Sequence, residues 1–308
     1  MKEKILEIIN LRKSYPSGTL LLKNTEVLKG ININVYKGEI YSLLGHNGAG
    51  KTTTFKIITG ISKQDSGMVL FKGKALSLKD KSRIGFLPER PYFYEYLTGK
   101  EFLEFSANLF NIKKSKAQIE ALLSLVDLKD AVDIQLKRYS KGMLQRIGIA
   151  HSIINDPEFI ILDEPLSGLD PIGRKKLRDL ILSLKEEGRT IIYSSHILQD
   201  AEMISDRIGI IVKGRTIMEG SLEELVSGEI KEVDVGFYGV NKIPEGIEYI
   251  KAEKKSNVFY ITVRDTIEAN KLISKIIEAG GYIKFVNPVR KTLEELFWEI
   301  KDENNSNS

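Results

Sequence analysis

Apolar and polar residues alternate at Ile31, Ile33 and Val35, a Lys37-Gly38 turn follows, and Ile40–Leu44 returns almost wholly apolar. The first stretch has the periodicity of a half-buried strand and the second the character of a strand buried on both faces, so together they predict a hairpin. A glycine-rich loop then leads into a helix from about Lys51 to Thr59, closed by Gly60. "GMVLFKGKAL" predicts another hairpin turning at Lys72-Gly73. "RIGFLPE" (Arg83–Glu89) predicts a short strand running into a proline turn.

From Pro91 to Asn155 the pattern changes to helix. Leu103, Ala107 and Phe110, then Ile119, Leu122, Leu123 and Val126, recur at helical spacing. Strands return at Phe159–Asp163, Thr190–Ser195 and Arg207–Val212. Between the first two, Leu177, Leu180, Ile181 and Leu184 form the apolar stripe of a helix ended by Gly188. Short buried strands alternating with amphipathic helices predict an α/β fold, a largely parallel sheet covered on both faces, with the helical stretch as a separate lobe. Beyond Gly220, "SLEE" (Ser221–Glu224) and "TLEE" (Thr292–Glu295) match the capping-box pattern of helix starts. Strand-like "KEVDVGFY" and "NVFYITV", a helix from about Ile267 to Ala279 and "GYIKFV" lie between them. That order predicts a small α+β domain over 221–301, and the polar tail 302–308 is expected to be disordered.

Composition narrows the class. The 308 residues are 42% hydrophobic and 29% charged, enough for a large domain and a smaller one with full cores. The net charge of +4 comes from 46 basic and 42 acidic residues in mixed clusters, a solvated surface and not a nucleic-acid footprint. Cysteine is absent, which excludes disulfides and thiolate metal sites. The opening "MKEKILEIINLRKSY" has no signal-peptide core, and no apolar run is long enough to span a bilayer.

The chemistry begins at "GHNGAGKT", Gly45, His46, Asn47, Gly48, Ala49, Gly50, Lys51 and Thr52, which matches the phosphate-loop pattern between a buried strand and a helix. Glycines let the backbone N–H groups turn inward at the positive end of the helix. Lys51 is expected on the β- and γ-phosphates and the Thr52 hydroxyl on Mg²⁺. Asp163 and Glu164 then end a buried strand as adjacent carboxylates before Pro165, an arrangement whose repulsion and lost hydration call for a cation. Asp163 is expected to support Mg²⁺ and Glu164 to polarise the attacking water.

"YSKGMLQR" (Tyr139–Arg146) opens a predicted helix with a serine and a glycine, a surface suited to a second phosphate group. With "SGLD" (Ser167–Asp170) after the carboxylates and "SSH" (Ser194–His196) ending the next strand, residues 3–220 resemble the ATP-binding-cassette (ABC) ATPases, the motor subunits of ABC transporters. The resemblance implies a P-loop core sheet with an antiparallel β subdomain and a helical lobe at about 91–157. It implies that Tyr15 stacks on adenine, that Thr53 reaches the α-phosphate and that His196 contacts the γ-phosphate. It also implies that Ser140, Lys141, Gly142 and Met143 contact ATP bound to a second cassette, with Asp170 bridging the two sites. ATP, Mg²⁺, a partner cassette and a separate membrane subunit at the cytoplasmic face are therefore expected.

Two positions depart from the family pattern. The signature usually reads Leu-Ser-Gly-Gly-Gln; here it is Tyr-Ser-Lys-Gly-Met, with Lys141 in place of a glycine and expected to stay in solvent. The hinge glutamine that touches Mg²⁺ is here Glu89, a carboxylate that can also ligate the ion. Both departures resemble the branch of drug, antibiotic, sodium and polysaccharide exporters and gliding-motility systems. Members of that branch often end in a helix like "TLEELFWEI" (Thr292–Ile300).

Overall fold

The computed structural model describes residues 2–17, 23–226, 232–289 and 295. The chain divides into two compact units, Met1–Leu222 and Glu223–Ser308. The expected helix at Thr292–Ile300 and the tail lie outside the described residues, Glu295 excepted.

The first unit opens with two long strands, β1 (Lys4–Ser17) and β2 (Lys23–Tyr36), followed by β3 (Ile40–Leu44) and α1 (Lys51–Ile58). Next come β4 (Ser66–Phe71), β5 (Lys74–Ala75) and β6 (Ile84–Leu87), then the helices α2 (Gly99–Leu109), α3 (Lys116–Leu125) and α4 (Lys141–Ser152). The chain returns through β7 (Phe159–Leu162), α5 (Pro171–Glu186), β8 (Thr190–Ser195), α6 (Leu198–Ile204), β9 (Arg207–Val212) and β10 (Arg215–Ser221). The short α7 (Leu222–Val226) lies at the division.

Two sheets organise this unit. One is antiparallel in the order β2-β1-β4-β5; the other has the order β10-β9-β3-β8-β7-β6, parallel from β9 to β6 with β10 antiparallel at its edge. The hairpin expected across Lys37-Gly38 does not form, because β2 pairs with β1 while β3 lies between β8 and β9. The physical reason is burial. An alternating strand needs one solvated face and suits the antiparallel sheet, whereas all five residues of β3 are buried and require neighbours covered on both faces. The hairpin expected at Lys72-Gly73 does form, with both turn residues at positive φ.

Strand alternation sorts the core. Ile160, Leu162, Ile191 and Tyr193 face the cluster built with α2–α5, while Phe159, Ile161, Ile192 and Leu43 face the cluster built with α1 and the antiparallel sheet. Helix α5 contributes its predicted stripe, Leu177, Leu180, Ile181 and Leu184, all buried. Full burial of each such side chain stabilises the unit by about 1.5–3 kcal/mol. The ends of β3, β7 and β8 therefore sit on a packed support, and all three stop on the same side of the parallel sheet.

The second unit is an antiparallel sheet in the order β12-β13-β11-β14, from β11 (Glu232–Tyr238), β12 (Lys251–Lys255), β13 (Val258–Val263) and β14 (Tyr282–Val289). Helix α8 (Thr266–Glu278), capped by Asp265 through Glu268 N–H, buries Ala269, Leu272 and Ile276 against Val233, Val235 and Phe237.

Candidate functional site

The loop after β3 is shaped by its glycines. Gly48 and Gly50 lie at positive φ, 81° and 113°, and a Cβ on Gly50 would meet Leu28 Cδ2 at 2.5 Å. Gly50 is also the N-cap of α1, and no side chain caps that end. The first-turn N–H groups of α1 are thus without a side-chain partner at the positive end of the helix dipole. Thr53 lies in that same first turn, half-buried, while His46 and Asn47 are exposed at the lip of the loop and Ala49 is buried beneath it.

Lys51 is almost fully buried, and its ammonium folds back over the loop. It donates to Gly45 O at 2.6 Å and His46 O at 3.4 Å, and lies 3.0 Å from Glu164 Oε1. This last contact is one of charge: Oε1 has no aligned hydrogen-bond donor, although the two side chains are only 6% and 9% exposed. The other Glu164 oxygen, Oε2, lies 2.8 Å from His196 Nδ1. Glu164 itself adopts φ +50°, a left-handed conformation uncommon for a side chain of its size.

Ser194, near the end of β8, ties the Asp163 carboxylate to the Glu164 backbone. Its Oγ donates to Asp163 Oδ1 at 2.7 Å and accepts the Glu164 N–H at 2.8 Å. Asp163 is 1% exposed and its Oδ2 has no partner. Burial pushes the Asp163 carboxyl above its usual range, hydrogen bonds from Ser194 and Thr52 oppose that shift, and the nearby charges of Glu89 and Glu164 reinforce it. A buried carboxylate with an unpartnered oxygen, beside the Thr52 hydroxyl, fits a divalent cation; an uncapped helix end beside a buried ammonium fits phosphates.

Lys51, Thr52, Asp163, Glu164 and His196 thus converge, and Glu89, exposed after β6, lies close enough for its charge to act on Asp163. Glu89, Thr52 and Asp163 line a groove of about 590 Å³ whose far wall carries Tyr92, Phe105 and His151. Tyr15 lies on β1, half-buried, with its hydroxyl 3.2 Å from Ser62 Oγ and the Lys13 ammonium over its ring. The signature residues have other neighbours. Ser140 caps α4 by accepting Met143 N–H, exposed Lys141 lies beside Gly168, and Leu169 packs against Gly142. Asp170 caps α5 by accepting Gly173 N–H at 3.0 Å.

Sequence reasoning did not foresee Ser194 as the link between the Asp163 carboxylate and the Glu164 backbone, although "SSH" marked its neighbourhood. It also missed the Lys51–Glu164 contact, since nothing in either motif says where the lysine rests.

Comparisons with known proteins bear on this geometry. The ABC transporter family profile matches residues 28–167. An uncharacterized ABC transporter ATP-binding protein of Nostoc sp. (strain PCC 7120) is 50% identical over 71% of this chain and 67% of its own length. The lantibiotic transport ATP-binding protein SrtF of Streptococcus pyogenes is 42% identical over 73% of this chain and 97% of its own. Among solved structures, the dimeric post-hydrolysis state of the ATP-binding cassette MJ0796, bound to ADP and Pi, superposes with a TM-score of 0.63. It is 25% identical, over 70% of this chain and 98% of that one. With the phosphate loop, the paired carboxylates and the parallel sheet on which they sit, these likenesses place the chain in the ABC transporter family, as one of its ATP-binding, ATP-hydrolysing subunits.

Proposed function

We propose that this chain is the motor of an exporter. Two copies close head to tail over two ATP molecules, and they are seated on a separate membrane subunit at the cytoplasmic face. The observation that carries the reading is the one-sidedness of the site: Lys51, Thr52, Asp163, Glu164 and His196 converge, while Ser140–Met143 pack beside the Ser167–Asp170 turn. A phosphate surface at the start of α4 that serves no site on its own chain suits a nucleotide held by another. In this reading residues 3–220 are the complete cassette, 91–157 its helical lobe, and 221–301 an accessory domain.

The chemistry follows from the residues. Gly45–Thr53 wrap the phosphates, and Tyr15 faces the adenine. Lys51 leaves Glu164 for the β- and γ-phosphates. Thr52 and Asp163 would hold Mg²⁺, with Glu89 able to join them, and the ion when bound neutralises charge on the phosphate oxygens. Freed of Lys51, Glu164 Oε1 accepts a proton from water as its oxygen bonds to the γ-phosphorus and the bond to the β-phosphate breaks. His196 at Oε2 keeps the carboxylate aimed. Ser140, Lys141, Gly142 and Met143 meet the partner's nucleotide, and Asp170 lies between the two sites. Little covalent work is asked of the protein; positioning and electrostatics dominate.

The membrane subunit has a candidate seat in the 590 Å³ groove, where Tyr92 is 91% and Leu109 66% exposed. Large exposed apolar side chains around a cleft mark a docking face. Glu89 and Asp163 line the same groove, so an occupant there would lie next to the carboxylates. Among the described residues no helix is long and apolar enough to cross a membrane, which fits a motor whose channel is another polypeptide. Export is favoured by the signature and hinge residues and by the likeness to a lantibiotic transport ATP-binding protein. The test is extraction of membranes in mild detergent. The chain is expected to co-purify with a membrane polypeptide that stimulates its turnover, and recovery of a fully active chain free of any such partner contradicts the reading.

A further inference from the structure

We propose that Asp127 is a positioning residue that sets the start of α4 against the Ser167–Asp170 turn, and through them the face that meets the partner cassette. The inference rests on the head-to-tail reading above.

Helix α3 ends at Leu125 with Val126 as its C-cap, and Asp127 follows at φ +56°, the left-handed turn that Asp tolerates better than most residues. That turn brings its carboxylate between two cations from different helices. Arg146 of α4 donates to Asp127 Oδ2 at 2.8 Å, and Lys176 of α5 donates to the same oxygen at 2.9 Å. Arg146 reaches further: the same nitrogen lies 2.8 Å from Asp127 O and 3.3 Å from Val126 O, and its Nε lies 3.4 Å from Gly142 O. One guanidinium therefore joins the end of α3 to the first turn of α4. Asp127 extends that link to α5, whose N-cap is Asp170. About one turn nearer the starts of the same two helices, Leu169 packs on Gly142 and Lys141 lies beside Gly168. The start of α4 and the Asp170 turn are thus tied at two points, one apolar and one ionic. The cations hold the Asp127 carboxyl below its usual range, Lys176 foremost, in accord with a carboxylate that stays charged in this bracket.

Fold maintenance alone gives Asp127 no need of its charge. A glycine would satisfy the turn at φ +56° with less strain. Asp127 is 68% and Lys176 54% exposed, so the pair adds little to stability. What the carboxylate supplies is relative placement of two elements that must meet a second chain together.

The test uses the full chain in a Glu164→Gln background, with ATP-dependent dimerisation read by analytical ultracentrifugation and nucleotide affinity read by titration at low protein concentration. Asp127→Gly keeps the turn and removes the carboxylate. It is expected to weaken the ATP-dependent dimer about three- to fivefold, with nucleotide affinity and melting temperature little changed. Asp127→Asn should fall between the two, and Lys176→Ala should add nothing once Asp127 is Gly. An unchanged dimer, additive effects of the two substitutions, or a dimer loss matched by lost nucleotide affinity overturns the proposal. Should the Glu164→Gln chain fail to dimerise with ATP while Asp127 is intact, the head-to-tail reading falls and takes this inference with it; if it dimerises and Asp127→Gly does not matter, this inference alone falls.

Discussion

Ser194→Ala is the most informative single change, because one buried oxygen ties the Asp163 carboxylate to the Glu164 backbone. Ser194 is fully buried; its Oγ accepts the Glu164 N–H and donates to Asp163 Oδ1. Removing it leaves a buried N–H and a buried carboxylate oxygen unpaired, at about 1–3 kcal/mol for each orphaned group. Part of that is relieved where the neighbouring Thr52 hydroxyl can turn to Asp163, so a net loss of about 2–4 kcal/mol is expected. The N–H bond also helps hold Glu164 at φ +50°, a conformation costing roughly 1 kcal/mol or more, so the carboxylate should lose its aim on water as well. A drop in turnover of about tenfold or more should accompany the lost stability. The assays are urea unfolding followed by circular dichroism and steady-state phosphate release. Ser195→Ala is the control: among the described residues its Oγ bonds to Ile197 of its own turn alone, so the expected loss is under about 1 kcal/mol. If Ser194→Ala proves no more harmful than Ser195→Ala in either assay, the Ser194 link between Asp163 and the Glu164 backbone has no energetic weight and the reasoning fails.

Other expectations follow from the same site. Glu164→Gln should retain nucleotide in a titration while phosphate release falls about 10²-fold or more; near-normal release would remove Glu164 as the base. Lys51→Ala should lose nucleotide affinity itself, since the charge proposed to reach the phosphates is gone, and calorimetry of the variant decides it. Burial among Phe102 and Phe110 holds the His151 imidazole below its usual pKa of 6.5. The unfolded chain then binds a proton below pH 6.5 that the folded chain refuses, so this residue makes stability fall as pH drops through that window and leaves it flat above. His151→Gln should make the acid limb of a stability–pH curve shallower; an unchanged limb would mean that His151 titrates normally.

Much of the catalytic half of the fold was legible because its signals are local. A buried strand, a glycine loop and a helix are contiguous in Ile40–Ile58, and the stripe Leu177, Leu180, Ile181 and Leu184 needs only helical spacing. Sheet partnership was not legible. Alternation in β2 and burial in β3 were both read correctly, yet whether two successive strands share a sheet depends on residues far along the chain, here β8 and β9. The turn between β9 and β10 carries Lys213-Gly214, both at positive φ, the same signal as Lys72-Gly73, and was readable but unread. Strand β12, "KAEKK", has all five residues exposed at a sheet edge, so hydrophobic periodicity had nothing to register. At the site, motif spacing identified residue types and their order. The resting position of Lys51 on Glu164 is a tertiary contact across 113 residues, and no spacing rule encodes it.

The central claim is that each nucleotide is served by residues of two chains, and mixing two crippled chains tests it directly. Glu164→Gln disables a chain's own carboxylate, and Ser140→Arg blocks the surface it offers to its partner; each variant alone should release almost no phosphate. Random pairing makes about half the dimers mixed, each with one intact composite site, so the mixture should recover about one quarter of the wild-type rate. A mixture no more active than its components, or a Ser140→Arg chain that hydrolyses ATP at full rate by itself, would contradict the account.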